Sequence, residues 1–261
     1  WYSLYQGKRE SVDAQLCLSN EAMRKVLTKN ALEWIRQNPS AGIISISQND
    51  AGRPCQCEKC RALVSETGSE SGAMLHFVNA VAADIAKEYP DFLVHTLAYT
   101  YTESPPLHIK PAPNVVTQLC SIGCYFDRPL DDPINKSFRE NLLGWSKLTP
   151  NLFIWDYTTN FSTRGKNLPH PNLQVFGPNL RFFAKNHVTG VFEQGDISLS
   201  GDFVRLRAWV LAHLMWNPNQ DEKKLIDEFL NGYYGAAGPY ISKYLDLVQE
   251  TYLSKGFHLN C

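Results

Sequence analysis

Six apolar runs recur along the chain, at Gln15 to Leu18, Ile43 to Ser47, Leu93 to Tyr99, Val115 to Cys120, Leu152 to Tyr157 and Val188 to Phe192. Between most of them the apolar residues return at the helical period of about 3.6. A chain that keeps switching between these two patterns has few folds open to it. The runs GIISIS and NLFIW are apolar on both faces, as expected of strands in a parallel sheet that is covered on both sides. The pattern therefore predicts α/β architecture.

The helices are legible in outline. One is expected from Asn20 to Gln37, with Val26, Ala31, Trp34 and Ile35 turned inward. A second is capped by Ser69 or Ser71, carries Leu75, Val78, Ala82 and Ile85 on one stripe, and stops before Pro90. Others are expected over Lys136 to Lys147, Asn179 to Asn186, Asp202 to Trp216, Asp221 to Asn231 and Pro239 to Leu253. Neither GxGxxG nor GxxxxGK[ST] occurs, so the fingerprints of an open nucleotide-binding sheet are absent and a (β/α)8 TIM-type barrel is favoured. Such a barrel has eight strands. With six strands and a first residue Trp1 rather than Met, the chain reads as a piece from which about two βα units are missing, or as an open sheet. No shift of composition marks a boundary, so residues 1–261 are expected to be one domain, about three quarters of the barrel.

Charge excludes some partners. The 25 basic and 26 acidic residues are scattered and leave a formal net charge of -1, which gives no electrostatic footprint for nucleic acid or an anionic membrane. No apolar run approaches the roughly 18 residues of a membrane span, and no signal peptide is visible.

In a barrel the chemistry lies at the carboxyl ends of the strands. Those ends read SQND (47–50), AYTYTES (98–104), CSIGC (120–124), WDYTTN (155–160) and FEQGD (192–196). They supply three acids, Asp50, Asp156 and Glu193, together with Tyr99, Tyr101, Trp155 and Tyr157 and the amides Asn49, Asn160 and Gln194. Each acid has an ordinary structural role open to it: Asp50 as a cap, Asp156 as an acceptor for a neighbouring strand, Glu193 as partner of an arginine. Taken together they suit glycoside hydrolysis, in which one carboxyl protonates the leaving oxygen and a second attacks, activates water or stabilises positive charge. Aromatic rings stack on sugar faces and amides read hydroxyl or acetamido groups. No GxSxG or HExxH competes, and His95 and His187 are read as hydrogen-bonded core residues. The rival readings are a carbohydrate-binding barrel without catalysis and a metal-stapled structural domain.

The succession QLCLSN, SISQND, CQCEKC, TLAYTYTESPP, NVVTQLC, LFIWDYTTNF, GVFEQGD, LMWNPNQD and YYG resembles the bacterial domain-of-unknown-function family 4838 over nearly the whole chain. Some members of that family are classified as glycoside hydrolase family 163. The resemblance implies a catalytic (β/α)8 barrel in exported, periplasmic or cell-surface proteins of Bacteroides and relatives. It also implies a retaining endo-β-N-acetylglucosaminidase that cuts N-glycans and needs no catalytic cofactor. SISQND would close the fourth strand and FEQGD the eighth. Asp50 is then the expected proton donor, with Glu193 ahead of Asp156 as nucleophile or charge stabiliser. Asp50 is expected in a partly apolar cleft. Related hexosaminidases end the fourth strand on two acids, where this chain has Asn49 before Asp50.

Seven cysteines include Cys55, Cys57 and Cys60 in CxCxxC, a spacing that lets three thiolates converge on a structural zinc. Cys17 or Cys120 could supply a fourth ligand. Disulfides, Cys57 with Cys60 or Cys120 with Cys124, are the alternative in an oxidising compartment.

Overall fold

The computed structural model describes residues 1–161, 168–196 and 201–260. The chain opens with a hairpin of β1 (Leu4–Tyr5) and β2 (Lys8–Arg9). Its turn residues Gln6 and Gly7 both have positive φ, the backbone a two-residue hairpin loop requires. There follow α1 (Glu21–Gln37), β3 (Ile43–Ser45), α2 (Glu58–Thr67), α3 (Glu70–Ala86), β4 (Leu93–Ala98), β5 (Val115–Cys120), α4 (Lys136–Leu148), β6 (Leu152–Tyr157), α5 (Phe176–Lys185), β7 (Gly190–Gln194), α6 (Val204–Trp216), α7 (Glu222–Tyr234) and α8 (Gly238–Lys255).

Strands β3 to β7 form one sheet in sequence order. Ile43 pairs with Leu93 and Val94 with Val115, both in parallel register. The N–H groups of Thr117 and Ser121 donate to Asn151 and Trp155, an equal offset that continues the parallel pairing to β6. A parallel sheet in sequence order, whose neighbours other than β4 and β5 are joined through helices, is the partial (β/α) barrel the alternation predicts.

The chain divides into two compact units, Trp1–Cys120 with Leu143–Phe153, and Ser121–Leu142 with Ile154–Cys261. In the first, α3 begins at Ser69, whose hydroxyl accepts from the Gly72 N–H, and its stripe of Leu75, Val78, Ala82 and Ile85 is fully buried with Val94 and Val115. Gly72 is required there. A Cβ would stand 2.3 Å from Thr67 Oγ1, so the close approach of α2 and α3 depends on its absence. In the second unit Ile154, Phe183, Leu206, Val210, Leu214 and Leu230 fill the core.

Several local expectations need correction. Gln15 to Leu18 is not a strand, for it makes a single bridge, Leu16 to Tyr2, while the Gln15 side chain takes up other backbone groups. On α1 the inward residues are Met23, Thr28, Ala31 and Ile35, whereas Val26 and Trp34 are 39% and 40% exposed. The apolar stripe is turned from the expected one because the buried face also accepts a threonine. The cysteine segment is not all loop: Cys57 caps α2 and Cys60 lies in its first turn. His187 is exposed with φ of 61°, so only His95 is the hydrogen-bonded histidine expected, joined to Ser45 and Gln118. β7 runs on through Gln194, which puts Glu193 inside the strand rather than after it.

Candidate functional site

In the first unit the site is built on the turn that follows β3. Gln15 holds that turn with one amide: its Nε2 donates to the carbonyls of Asn49 and Ala51 at 2.9 and 2.5 Å, and its Oε1 accepts from the Asn49 N–H at 3.0 Å. The Asn49 side chain donates to the Ala14 carbonyl at 2.6 Å. Gln48 ties the turn to the end of β4, donating to the Tyr99 carbonyl and accepting from Thr102 Oγ1. The backbone under Asp50 is thus fixed by side chains from three segments. Asp50 itself is exposed, which corrects the expected apolar cleft, because β3 is a partly exposed strand and the turn carries the carboxylate out into water. The Tyr99 hydroxyl donates to its Oδ1 at 3.1 Å. Among the described residues no cation pairs with Asp50, and nearby Arg53 faces Glu10 instead.

Beside this turn lies a cavity of about 50 Å³ lined by Gln15, Gln48, Asn49, Glu70 and Tyr101. Burial raises the pKa of Glu70, and burial together with the Glu70 charge raises that of Tyr101. The sequence reading missed Gln15, Gln48 and Glu70. Glu70 was hidden as an ordinary first-turn acid behind the Ser69 cap, and Gln15 as part of a supposed strand.

The second unit holds the other predicted acids. Asp156 is buried and shares its side of β6 with Leu152 and Ile154, as strand alternation requires. Ser121 Oγ donates to it at 2.5 Å and the Tyr157 N–H at 2.9 Å. Burial pushes its pKa up to about 6 against those hydrogen bonds and one from Asn179. The pKa of Glu193 is raised well above its ordinary range, by burial and then by the negative charge of Asp156. Its Oε2 is buried with no hydrogen-bond partner among the described residues. The hydrogen-bond donors converge on Asp156 and favour its charged form, while burial and the Asp156 charge favour the neutral form of Glu193.

Trp155, on the other side of β6, donates from Nε1 to Gln194 Oε1 at 2.7 Å and meets Phe192 edge to face at 4.8 Å. Trp155 and Gln194 are half-buried and Phe192 is 48% exposed, so this aromatic and amide surface is open. Tyr99 and Tyr101 are half-buried as well. Tyr157 is buried against Phe126 and Phe161, and Asn160 is half-buried. A larger cavity, lined by His170, Arg181, Asp202 and Arg207 among others, contains none of the predicted residues. Its Arg207 is buried and donates to the carbonyls of Asp202, His170 and Thr158, which reads as scaffold.

The predicted metal ligands Cys55, Cys57 and Cys60 do come together, and Cys17 joins them. The four sulfurs lie within 4.8 Å of one another. Cys120, the other candidate, is buried at the end of β5, where burial and the charge of Glu103 raise its pKa to about 12.

Parallel strands alternating with helices, with acids, amides and aromatic rings at their carboxyl ends, define a partial (β/α) barrel. The chain belongs to the family described as Domain of unknown function (DUF4838), whose profile matches residues 1–246. Its structure is similar to that of an O-GlcNAc hydrolase mutant from Thermobaculum terrenum, with a TM-score of 0.53 and 13% sequence identity over 85% of this chain. The match covers 46% of that hydrolase, so the chain spans less than half of its length, and the likeness is one of fold. No curated protein matches the sequence significantly. Among the described residues no helix is long and apolar enough to cross a membrane.

Proposed function

We propose that this chain is the larger part of a glycoside hydrolase barrel acting on N-acetylglucosamine-containing glycans. Three further βα units would bring the five-stranded sheet to a complete (β/α)8 barrel. The observation that carries the reading is Asp50: a carboxylate beyond a β-strand's carboxyl end, on a side-chain-pinned backbone, with a tyrosine hydroxyl as partner and, among the described residues, no cation to neutralise it. Asp50 is assigned the role of proton donor to the leaving oxygen. Independently, Asp156 and Glu193 are assigned as the carboxyl pair that stabilises positive charge, with Trp155 and Gln194 as a stacking and hydrogen-bonding surface. The finer reading is a retaining endo-β-N-acetylglucosaminidase of an exported protein, acting on N-glycans.

The test is to incubate the intact parent with an N-glycoprotein and with aryl N-acetylglucosaminides, and to follow released glycans by mass spectrometry. Release by the wild type and its loss in Asp50→Asn is the expected result, and cleavage undiminished in that variant removes Asp50 from the mechanism. A carbohydrate-binding barrel without catalysis is the second reading. It is favoured by Asn49, whose amide is committed to the Ala14 carbonyl where a hexosaminidase would carry another acid. Glycan binding without cleavage would decide for it.

A further inference from the structure

Cys17, Cys55, Cys57 and Cys60 come from three separate segments: the one before α1, the segment after the Asp50 turn, and the start of α2. Such a convergence of the most oxidisable side chains in the sequence calls for an explanation. Four sulfurs about 2.3 Å from a common ion in a tetrahedron stand about 3.8 Å apart. Here Cys17 Sγ lies 3.7 Å from Cys57 Sγ and 3.9 Å from Cys60 Sγ, and all four fall within 4.8 Å of one another. A disulfide needs about 2.0 Å, and none of the four is bonded to another.

The surroundings suit thiolates. Cys17, Cys55 and Cys60 are buried and Cys57 half-buried, so an ion among them would be shielded on most sides. The Leu4 N–H points at Cys55 Sγ from 3.3 Å, and Ser19 Oγ lies 3.5, 3.6 and 3.3 Å from the sulfurs of Cys17, Cys57 and Cys60. The Arg9 guanidinium stands beside Cys17, where its charge offsets the excess negative charge of four thiolates around a divalent ion. A donor such as the Leu4 N–H orients and stabilises a thiolate ligand, and the single Ser19 hydroxyl proton can serve one of the three sulfurs at a time.

We infer that Cys17, Cys55, Cys57 and Cys60 bind one zinc ion in a closed tetrathiolate site. With all four positions filled by protein, no place remains for water or substrate, so the ion is structural. It staples the start of the chain and the start of α2 to the segment that leaves the Asp50 turn.

The experiment uses the intact protein, purified without chelator or added thiol. Metal analysis should find one zinc per chain, and all four thiols should react with a thiol reagent once the protein is denatured in chelator. Replacing zinc by cobalt(II) should give the intense visible and charge-transfer bands of a tetrahedral thiolate site. Cys17→Ser should weaken zinc binding at least tenfold, while Cys120→Ser should bind as the wild type does. Thiols lost in pairs with no zinc present would overturn the proposal in favour of disulfides. Full zinc affinity in Cys17→Ser would overturn it too, as would iron in place of zinc. If Cys17→Ser does not fold, the cobalt spectrum of the wild type still decides, since a site with fewer than four thiolates lacks the full charge-transfer intensity.

Discussion

Asp50 stands exposed on a turn whose Asn49 and Ala51 backbone is held by Gln15, whereas Asp156 is buried, Glu193 is half-buried with a desolvated carboxyl, and both are raised in pKa by burial. In the first unit precision comes from outside the acid: Gln15, Gln48 and Asn49 fix the chain and leave the carboxylate free to meet a ligand. In the second unit the acids are part of the packing, and desolvation decides their protonation. The contrast teaches that two carboxylates at strand ends can carry different burdens. One can be replaced at little cost to the fold, and the other charges the fold for its presence.

The sharpest way to break this comparison is Asp50→Asn. Turnover in the parent should fall by about 10²- to 10⁴-fold, with the melting temperature unchanged, since an exposed side chain with a single hydroxyl partner contributes little. A matching loss of stability would show that Asp50 belongs to the scaffold after all.

Next in size is Gln15→Ala. It strips three hydrogen bonds from a part-buried backbone and should destabilise the protein by about 2 to 4 kcal/mol in denaturant melts. No change would mean that the turn holds its path without Gln15.

For Glu193→Gln the expected change has the opposite sign. The folded-state pKa of Glu193 is raised above its ordinary 4.5, so the folded state holds the proton more tightly. Its contribution to stability is full below about pH 4.5 and is lost as pH rises toward the folded pKa. Asp156 adds the same trend between its ordinary 3.8 and about 6. Glutamine keeps the neutral form at every pH. It should leave stability unchanged at pH 4 and raise it by on the order of 1 kcal/mol at pH 8, read from melts at the two pH values. Equal stability at both would show that the carboxyl is solvated.

The smallest effect is expected of Tyr99→Phe, which removes one hydroxyl from an exposed carboxylate and should cost about 0.5 to 1 kcal/mol in transition-state binding. A loss as large as that of Asp50→Asn would make Tyr99 part of the proton transfer.

The sheet was legible because its strands are short apolar runs set between helices, and five of the six runs form it in order, although only β5 is buried throughout and β3 is partly exposed. The sixth run failed at Gln15, where a residue that alternates like a strand member uses its side chain in place of a ladder. Composition also located the three acids, but periodicity is silent on what surrounds them. Nothing in WDYT or FEQGD announces that Ser121 and Asn179, distant in sequence, would favour charge on Asp156 over Glu193. CxCxxC marked three thiols, and the fourth was left between Cys17 and Cys120 because only the folded chain brings Cys17 beside the others.

Gln15 has one more consequence. Because its amide reads only the main chain of Asn49 and Ala51, it enforces a path without inspecting which side chains travel along it. Position 50 is therefore a socket. Aspartate can be exchanged for glutamate, histidine or a noncanonical acid while the turn keeps its course, so the chemistry at this point of the protein is open to redesign, or to drift, independently of the architecture that presents it.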